Sequence, residues 1–268
     1  MRIAAIADTH GLKFKRPWAN VFIHGGDMTA WGEYRETLNL GRELSSLETD
    51  EGMPPYDEVV IVPGNHDRAL EQIRQSEYWT FGPHVHLLID QTWEYGGLVF
   101  YGTPWTPWFE GVNEHWTAFM RSEDELRNRF ENIPAEVDVL ITHGPPKGIL
   151  DMGKGSEALR EAIERRRIRV HLFGHIHECG GRFEVNYPQD GGTRESFNIS
   201  AIYQERQPAA GTKPREYARE PVELEMGKNR DEGLGTSHPQ TMDLSAGTPA
   251  GTSHPTDDGP VCGDPGRD

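Results

Sequence analysis

The sequence predicts a layered α/β domain in which a second sheet packs on the first, and three observations carry that expectation. Short apolar runs rich in β-branched residues, "RIAAIAD", "NVFIHGGD", "EVVIVPGNHD", "VDVLITHGPP" and "RVHLFGHIH", each end in a polar or glycine-bearing turn. Their length and composition favour buried strands over helices. Helix-like segments lie between them, and strands alternating with helices build layered α/β architectures. Later runs, "GLVFYG", "GRFEVNY" and "SFNISAIY", have little helix between them, which points to the second sheet.

Taken in order, the helical segments have their own signals. Residues 31–48 carry Trp31, Tyr34, Leu38, Leu44 and Leu47 at roughly helical spacing. Residues 156–167 begin with Ser156 and Glu157 and finish with Arg165, Arg166 and Arg167. That is an N-cap followed by charges that suit the helix dipole. The segment "PVELEM", 221–226, is the last expected strand. From Gly227 the composition shifts to Gly, Pro, Ser, Thr and Asp, and "GTSHPQT" at 235 recurs as "GTSHPT" at 251. Such a stretch buries too little apolar area to offset its ordering entropy. The expectation is therefore a domain over 1–226 and a disordered tail over 227–268.

Composition excludes some partners. A chain of 268 residues is long enough to bury a sizeable core. Its formal net charge of −16, from 43 acidic and 27 basic residues, repels long polyanions, so duplex nucleic acid is not an expected partner. Cys179 and Cys262 are the only cysteines, so no disulfide framework is expected and a reducing compartment is. The apolar run at the N-terminus ends at Asp8, too short for a signal-peptide core or a membrane span. The expectation is a cytoplasmic protein with no membrane contact; the sequence carries no signal for oligomeric state.

Chemistry-bearing residues follow the apolar runs directly: Asp8 and His10, Asp27, Asn65 with His66 and Asp67, His143, then His175 and His177. In open α/β sheets ligands gather at the carboxyl ends of strands, so residues scattered over the sequence can converge there. Imidazole nitrogen and carboxylate oxygen suit Mn, Fe, Zn, Co or Ni, whereas a soft-metal site would show cysteine. Asp8 with His10, and His175 with His177, are i, i+2 pairs leaving a strand, so each pair is expected to face one cavity. Asp27 stands alone between ligand-bearing strands and is the choice for a carboxylate shared by two cations about 3.5–4 Å apart. Asn65 and His143 then complete the second cation's shell.

The ordered set "DTH", "GGD", "GNHD", "THGPP" and "GHIH" resembles the calcineurin-like metallophosphoesterase superfamily. "THGPPKGILD" and "FGHIHECGG" resemble in particular its branch of metallophosphoesterase-domain-containing, class III cyclic nucleotide phosphodiesterase-like proteins. Over residues 1–226 the resemblance implies a four-layer αββα sandwich, the metallo-dependent phosphatase fold, with two mixed sheets flanked by helices and a dinuclear site at their edges. It implies two divalent metal ions, one held by Asp8, His10, Asp27 and His177 and the other by Asp27, Asn65, His143 and His175. His66 is then the catalytic histidine that contacts the phosphoryl group and protonates the leaving group, with Asp67 orienting it. The implied activity is hydrolysis of small phosphodiesters, cyclic nucleotides among them, or phosphomonoesters through a metal-bridging hydroxide.

Two rivals are a metal-dependent nuclease, which the acidic balance and the lack of a basic stripe disfavour, and a binding or scaffold relative without turnover. Trp105, Trp108 and Phe109 in "GTPWTPWFEG" are read either as a cap on the second sheet or as a substrate rim. Asn198 is a candidate for hydrogen-bonding a site loop. His24, His84, His86, His115 and His171 read as core-edge or surface residues, and Cys179 as a small buried thiol.

Overall fold

Strand β1 (Arg2–Ile6) shows how the layers are specified, because its successive side chains point to opposite faces. Ile3 and Ala5 join one buried cluster, Ala4 and Ile6 another. A strand apolar on both faces has to lie between two other layers.

The computed structural model describes residues 1–14, 16–45, 56–73, 81–109, 111, 114–166, 168–187, 192–204, 216–218 and 220–227. After β1 the strands are β2 (Ala19–His24), β3 (Tyr56–Ile61), β4 (Val85–Leu87), β5 (Gln91–Tyr95), β6 (Leu98–Thr103), β7 (Thr106–Pro107) and β8 (Met120–Arg121). They continue as β9 (Val139–Thr142), β10 (Val170–Phe173), β11 (Gly181–Tyr187), β12 (Gly192–Asn198), β13 (Ile202–Gln204), β14 (Glu216–Ala218) and β15 (Val222–Glu225). The helices are α1 (Tyr34–Ser45), α2 (Arg68–Ile73), α3 (Glu123–Phe130) and α4 (Glu157–Glu164).

Two large mixed sheets result, ordered β15-β1-β2-β3-β4 and β11-β12-β10-β9-β6-β5. In the first, β1 to β4 run parallel and β15 antiparallel. In the second, β12, β10, β9 and β6 run parallel, with β11 and β5 antiparallel at the edges. Ile3, Val21, Ile23 and Val60 of the first sheet pack with Phe100, Val139, Ile141 and Leu172 of the second. The alternate residues, such as Phe22, Val59 and Leu140, share a cluster with Leu44 of α1, Leu70 of α2, Phe130 of α3 and Ala162 of α4. This is the four-layer αββα arrangement. Truncating any of these inter-sheet aliphatic residues to alanine costs about 2–5 kcal/mol in cores of this kind.

The helices expected from sequence shorten to α1 and α4. Ser156 caps α4 by accepting the Leu159 N–H at 3.1 Å. Leu47, Arg167, the tail from 228 and its repeated "GTSHP" lie outside the described residues. Helix α3 was not foreseen, although Ser122 and Glu125 form a capping box that the sequence displays.

One expectation is corrected. The five site-bearing strands do not cross a single sheet: β1, β2 and β3 belong to the first, while β9 and β10 belong to the second with "GLVFYG" and the "SFN" that ends β12. The two sheets meet at their carboxyl edge, where the Ala7 N–H donates to the Ile199 carbonyl at 3.0 Å and the Ala201 N–H to the Ala7 carbonyl at 2.7 Å. Loops from both sheets therefore open onto one place.

Candidate metal centre

Beyond β1 the chain stays tied to the loop after β2. The amides of Asp8, His10 and Gly11 donate to the carbonyls of Gly26, Asp27 and Met28 at 2.8, 3.0 and 2.8 Å. Following that path requires left-handed backbone at Asp8 (φ 53°), His10 (φ 44°) and Asp27 (φ 51°), and His175 (φ 70°) shares it. Non-glycine residues seldom adopt this region, Asp and His more readily than most, and such conformations cluster at functional sites. The i, i+2 pairs thus converge through turned loops, not through the strand pleat expected from sequence. His177 begins a one-turn 3-10 helix, His177–Cys179, outside β10.

All seven candidate ligands come together. His10 Nε2 lies 3.4 Å from His177 Nε2 and 3.8 Å from Asp27 Oδ2. His177 Nε2 is 3.6 Å from Asp8 Oδ1. On the other side His143 Nε2 is 3.4 Å from Asp27 Oδ1 and 2.9 Å from Asn65 Oδ1. The His175 ring stands edge-on to His143 with centroids 4.9 Å apart. Among the described residues three groups have donor atoms mutually within 4.8 Å: Asp8, His10, His177; His10, Asp27, His66; and Asp27, His143, His175. His10 and Asp27 each stand in two of them.

The electrostatics call for positive charge. Asp8 and Asp27 are 0 % and 2 % exposed, and a buried carboxylate without compensation is costly. Burial would raise Asp8, but the hydrogen bond and charge of His177 and the charge of His143 hold it at about 2. Burial would likewise raise Asp27, yet the charge and hydrogen bond of His143 keep it well below the usual carboxylate range. His143 resists protonation through burial, but Asp27 lifts it to about 9. Burial, then the His143 charge, pushes His175 down to about 3. Two buried carboxylates ringed by imidazoles favour a compensating positive charge, and the donor set of imidazoles, carboxylates and one amide fits divalent cations.

Surrounding groups fix the donors. His143 donates through Nδ1–H to the Gly25 carbonyl at 3.1 Å, leaving Nε2 toward Asp27. His66 donates through Nδ1–H to the Ala30 carbonyl at 3.1 Å, and its Nε2 lies 3.9 Å from Asp27 Oδ2. The Asp8 carboxylate accepts the His175 amide at 2.9 Å. Glycine is needed where these groups approach the backbone: a Cβ on Gly64 would lie 2.2 Å from Asp27 Oδ1, and one on Gly174 would lie 2.3 Å from Asp8 Oδ2.

Asp67 does not orient His66. Its carboxylate accepts the amides of Gly64 (2.8 Å), Thr29 (3.0 Å) and Met28 (3.3 Å) and the Thr29 hydroxyl (2.8 Å). It ties the loop after β3 to the loop after β2, and the imidazole turns instead to Ala30. Burial, with the Asp27 charge adding, pushes Asp67 up to about 6 against those donors.

Of the aromatic loop, Trp105 is fully buried, donates Nε1–H to Asp90 and lies under Arg129, whose guanidinium carbon is 3.6 Å from the ring centroid; it is core, not rim. Trp108 is exposed, and Phe109 stands 6.4 Å from His175. Asn198 donates to the Ile176 carbonyl at 2.9 Å, between His175 and His177. Cys179 is buried and joins none of the donor groups among the described residues. The contributions of Gly25 and Ala30 went unread because carbonyls carry no residue-type signal. Trp116, which stacks on His66 at 4.7 Å, also went unread; its signal was only a tryptophan in "EHWTAF". No helix among the described residues is long and apolar enough to cross a membrane.

Known proteins share this sequence pattern and fold. The family described as calcineurin-like phosphoesterase matches residues 1–179. Metallophosphoesterase domain-containing protein 1 of Homo sapiens and that of Mus musculus are each 32 % identical over 213 residues, covering 67 % of this chain and 61 % of theirs. The chain thus spans under two thirds of the length of these relatives. Among solved structures, TT1561 of Thermus thermophilus shares the fold with a TM-score of 0.51 at 14 % identity, covering 76 % of this chain and 92 % of that one.

Proposed function

The chain belongs to the calcineurin-like phosphoesterase family, and on that premise we propose that it is a dinuclear metal-dependent phosphoesterase acting on small phosphodiesters, cyclic nucleotides among them, or on phosphomonoesters. The observation that carries the reading is that Asp27 turns its two oxygens to different imidazoles, Oδ2 to His10 at 3.8 Å and Oδ1 to His143 at 3.4 Å. In this reading Asp8, His10, Asp27 and His177 hold one ion, and Asp27, Asn65, His143 and His175 the other. The ions, manganese or another of Fe, Zn, Co and Ni, supply Lewis acidity that makes water readily deprotonated near neutral pH and attracts phosphoryl oxygens.

The chain's own residues then have separate tasks. Asp27 offers an oxygen to each side. Asn65 turns Oδ1 inward because its Nδ2–H is engaged by the Trp116 carbonyl at 3.0 Å, and as a neutral donor it preserves positive charge for an anionic substrate. His66, held through Nδ1–H, presents Nε2 to carry a proton to the departing oxygen, a contribution of roughly 10²–10⁴ in rate. Asp67 keeps the two loops in register.

The test is Asp27→Asn, nearly isosteric but unable to serve both sides as an anion, in an activity screen of metal-reconstituted protein across phosphomonoesters, cyclic nucleotides and linear diesters. Metal-dependent hydrolysis is expected to fall at least about a hundredfold with the folded state retained. Wild-type turnover in the variant would refute the shared carboxylate, and cleavage confined to single-stranded DNA would replace the substrate class with a nuclease one.

A further inference from the structure

The 3-10 helix Glu114–Trp116 brings one indole against the site. The Trp116 ring lies on the His66 imidazole, centroids 4.7 Å apart and planes 17° from parallel, while His10 meets the same imidazole edge-on at 4.4 Å. Among the described residues one hydrogen bond, Nδ1–H to Ala30, holds one atom of the His66 ring; a flat surface against the ring face restrains its swing about that bond. The indole N–H of Trp116 is buried and has no hydrogen-bond partner among the described residues, although buried tryptophans usually satisfy theirs. The placement of the ring therefore serves its stack and not its own polar atom.

We propose that Trp116 is a positioning residue that holds His66 in the orientation from which it protonates the leaving group. The proposal rests on the phosphoesterase reading above. In the step concerned, the oxygen of water forms a bond to phosphorus as the bond to the leaving oxygen breaks. The Nε2 proton of His66 passes to that oxygen, and the surplus proton of the water returns to the imidazole.

Protonation matters little when the leaving group is p-nitrophenolate and increasingly as its conjugate acid weakens, so the inference is read in a leaving-group series. Wild type, Trp116→Phe, Trp116→Leu and His66→Ala are loaded with manganese, checked for metal content, and assayed on aryl methyl phosphodiesters from p-nitrophenyl to phenyl. Trp116→Leu, which keeps bulk without an aromatic face, is expected to lose about 10- to 100-fold in kcat on the phenyl ester. On the p-nitrophenyl ester its loss is expected to be under about threefold, the selective deficit a proton donor's misplacement would give. Trp116→Phe is expected to stay near wild type throughout. An equal loss on both esters, or none, in Trp116→Leu overturns the proposal. If His66→Ala itself shows no leaving-group dependence, the proton-donor reading of His66 fails; if it does and Trp116→Leu does not, only the Trp116 assignment fails.

Discussion

Gly174→Ala adds one methyl group at a crowded approach of backbone to ligand in the centre. The new Cβ would stand 2.3 Å from Asp8 Oδ2, 2.6 Å from Ala7 Cβ and 3.2 Å from Asp8 Cγ. A relaxed carbon–oxygen contact is about 1 Å longer than the first of these. Asp8 is fully buried and already accepts the His175 amide at 2.9 Å, so its carboxylate has no free volume to move into without abandoning that bond. Overpacking of this kind costs about 1–3 kcal/mol. In a domain of this size each kcal/mol lowers Tm by about 2–4 °C. Ligand positions in a metal site tolerate about 0.2 Å, so a displacement several times larger should weaken metal binding by at least about tenfold, the lower end of what loss of a supporting contact produces. Calorimetric titration of apo protein with manganese, alongside thermal unfolding without metal, separates the two effects. A variant that binds manganese with wild-type affinity would refute the argument that Asp8 is a ligand fixed by the close passage of the Gly174 backbone.

Other outcomes follow from individual contacts. Asn198→Ala removes the donor to the Ile176 carbonyl and the acceptor of the Ser200 amide at 3.1 Å; it should cost about 1–3 kcal/mol and weaken manganese binding about 10–100-fold, and unchanged affinity by titration would detach this residue from the His175–His177 loop's function. Stability should also fall on acidification through His171, which burial pushes down to about 3 from its ordinary 6.5. The unfolded chain takes up this proton below 6.5 and the folded chain does not until near 3, so the stability is complete above that unfolded value and is lost by up to about 1.4 kcal/mol per pH unit below it. His171→Gln should flatten that slope in urea titrations at about pH 6.5 and 5.5, and an unaltered slope would exclude His171 as its source.

The strands were legible because burial on both faces leaves a continuous apolar run, and "RIAAIAD" or "EVVIVPGNHD" can be little else. The candidate donors were legible because Asp, Asn and His stand directly after such runs, where apolar residues would otherwise be expected. Helix α3 escaped because it is mostly charged, burying only Leu126 and Phe130 along "EDELRNRF", so periodicity offered little contrast. The role of Asp67 was misread for a different reason: adjacency to His66 in sequence suggested a side-chain contact, but a tight turn sent the two groups to opposite partners, Ala30 for the ring and Gly64, Met28 and Thr29 for the carboxylate.

By itself the sequence determined the residue types of the centre, their order and the strand that delivers each, since these depend on local burial and on the chemistry of single side chains. Only the tertiary structure decided that three delivering strands lie in one sheet and two in the other, and that left-handed turns, not the strand pleat, aim Asp8, His10, Asp27 and His175. It alone placed Trp116 over His66 and the carbonyls of Gly25 and Ala30 behind the imidazoles. Those outcomes rest on backbone groups and on contacts between residues dozens of positions apart, whose energies are settled only when two sheets meet.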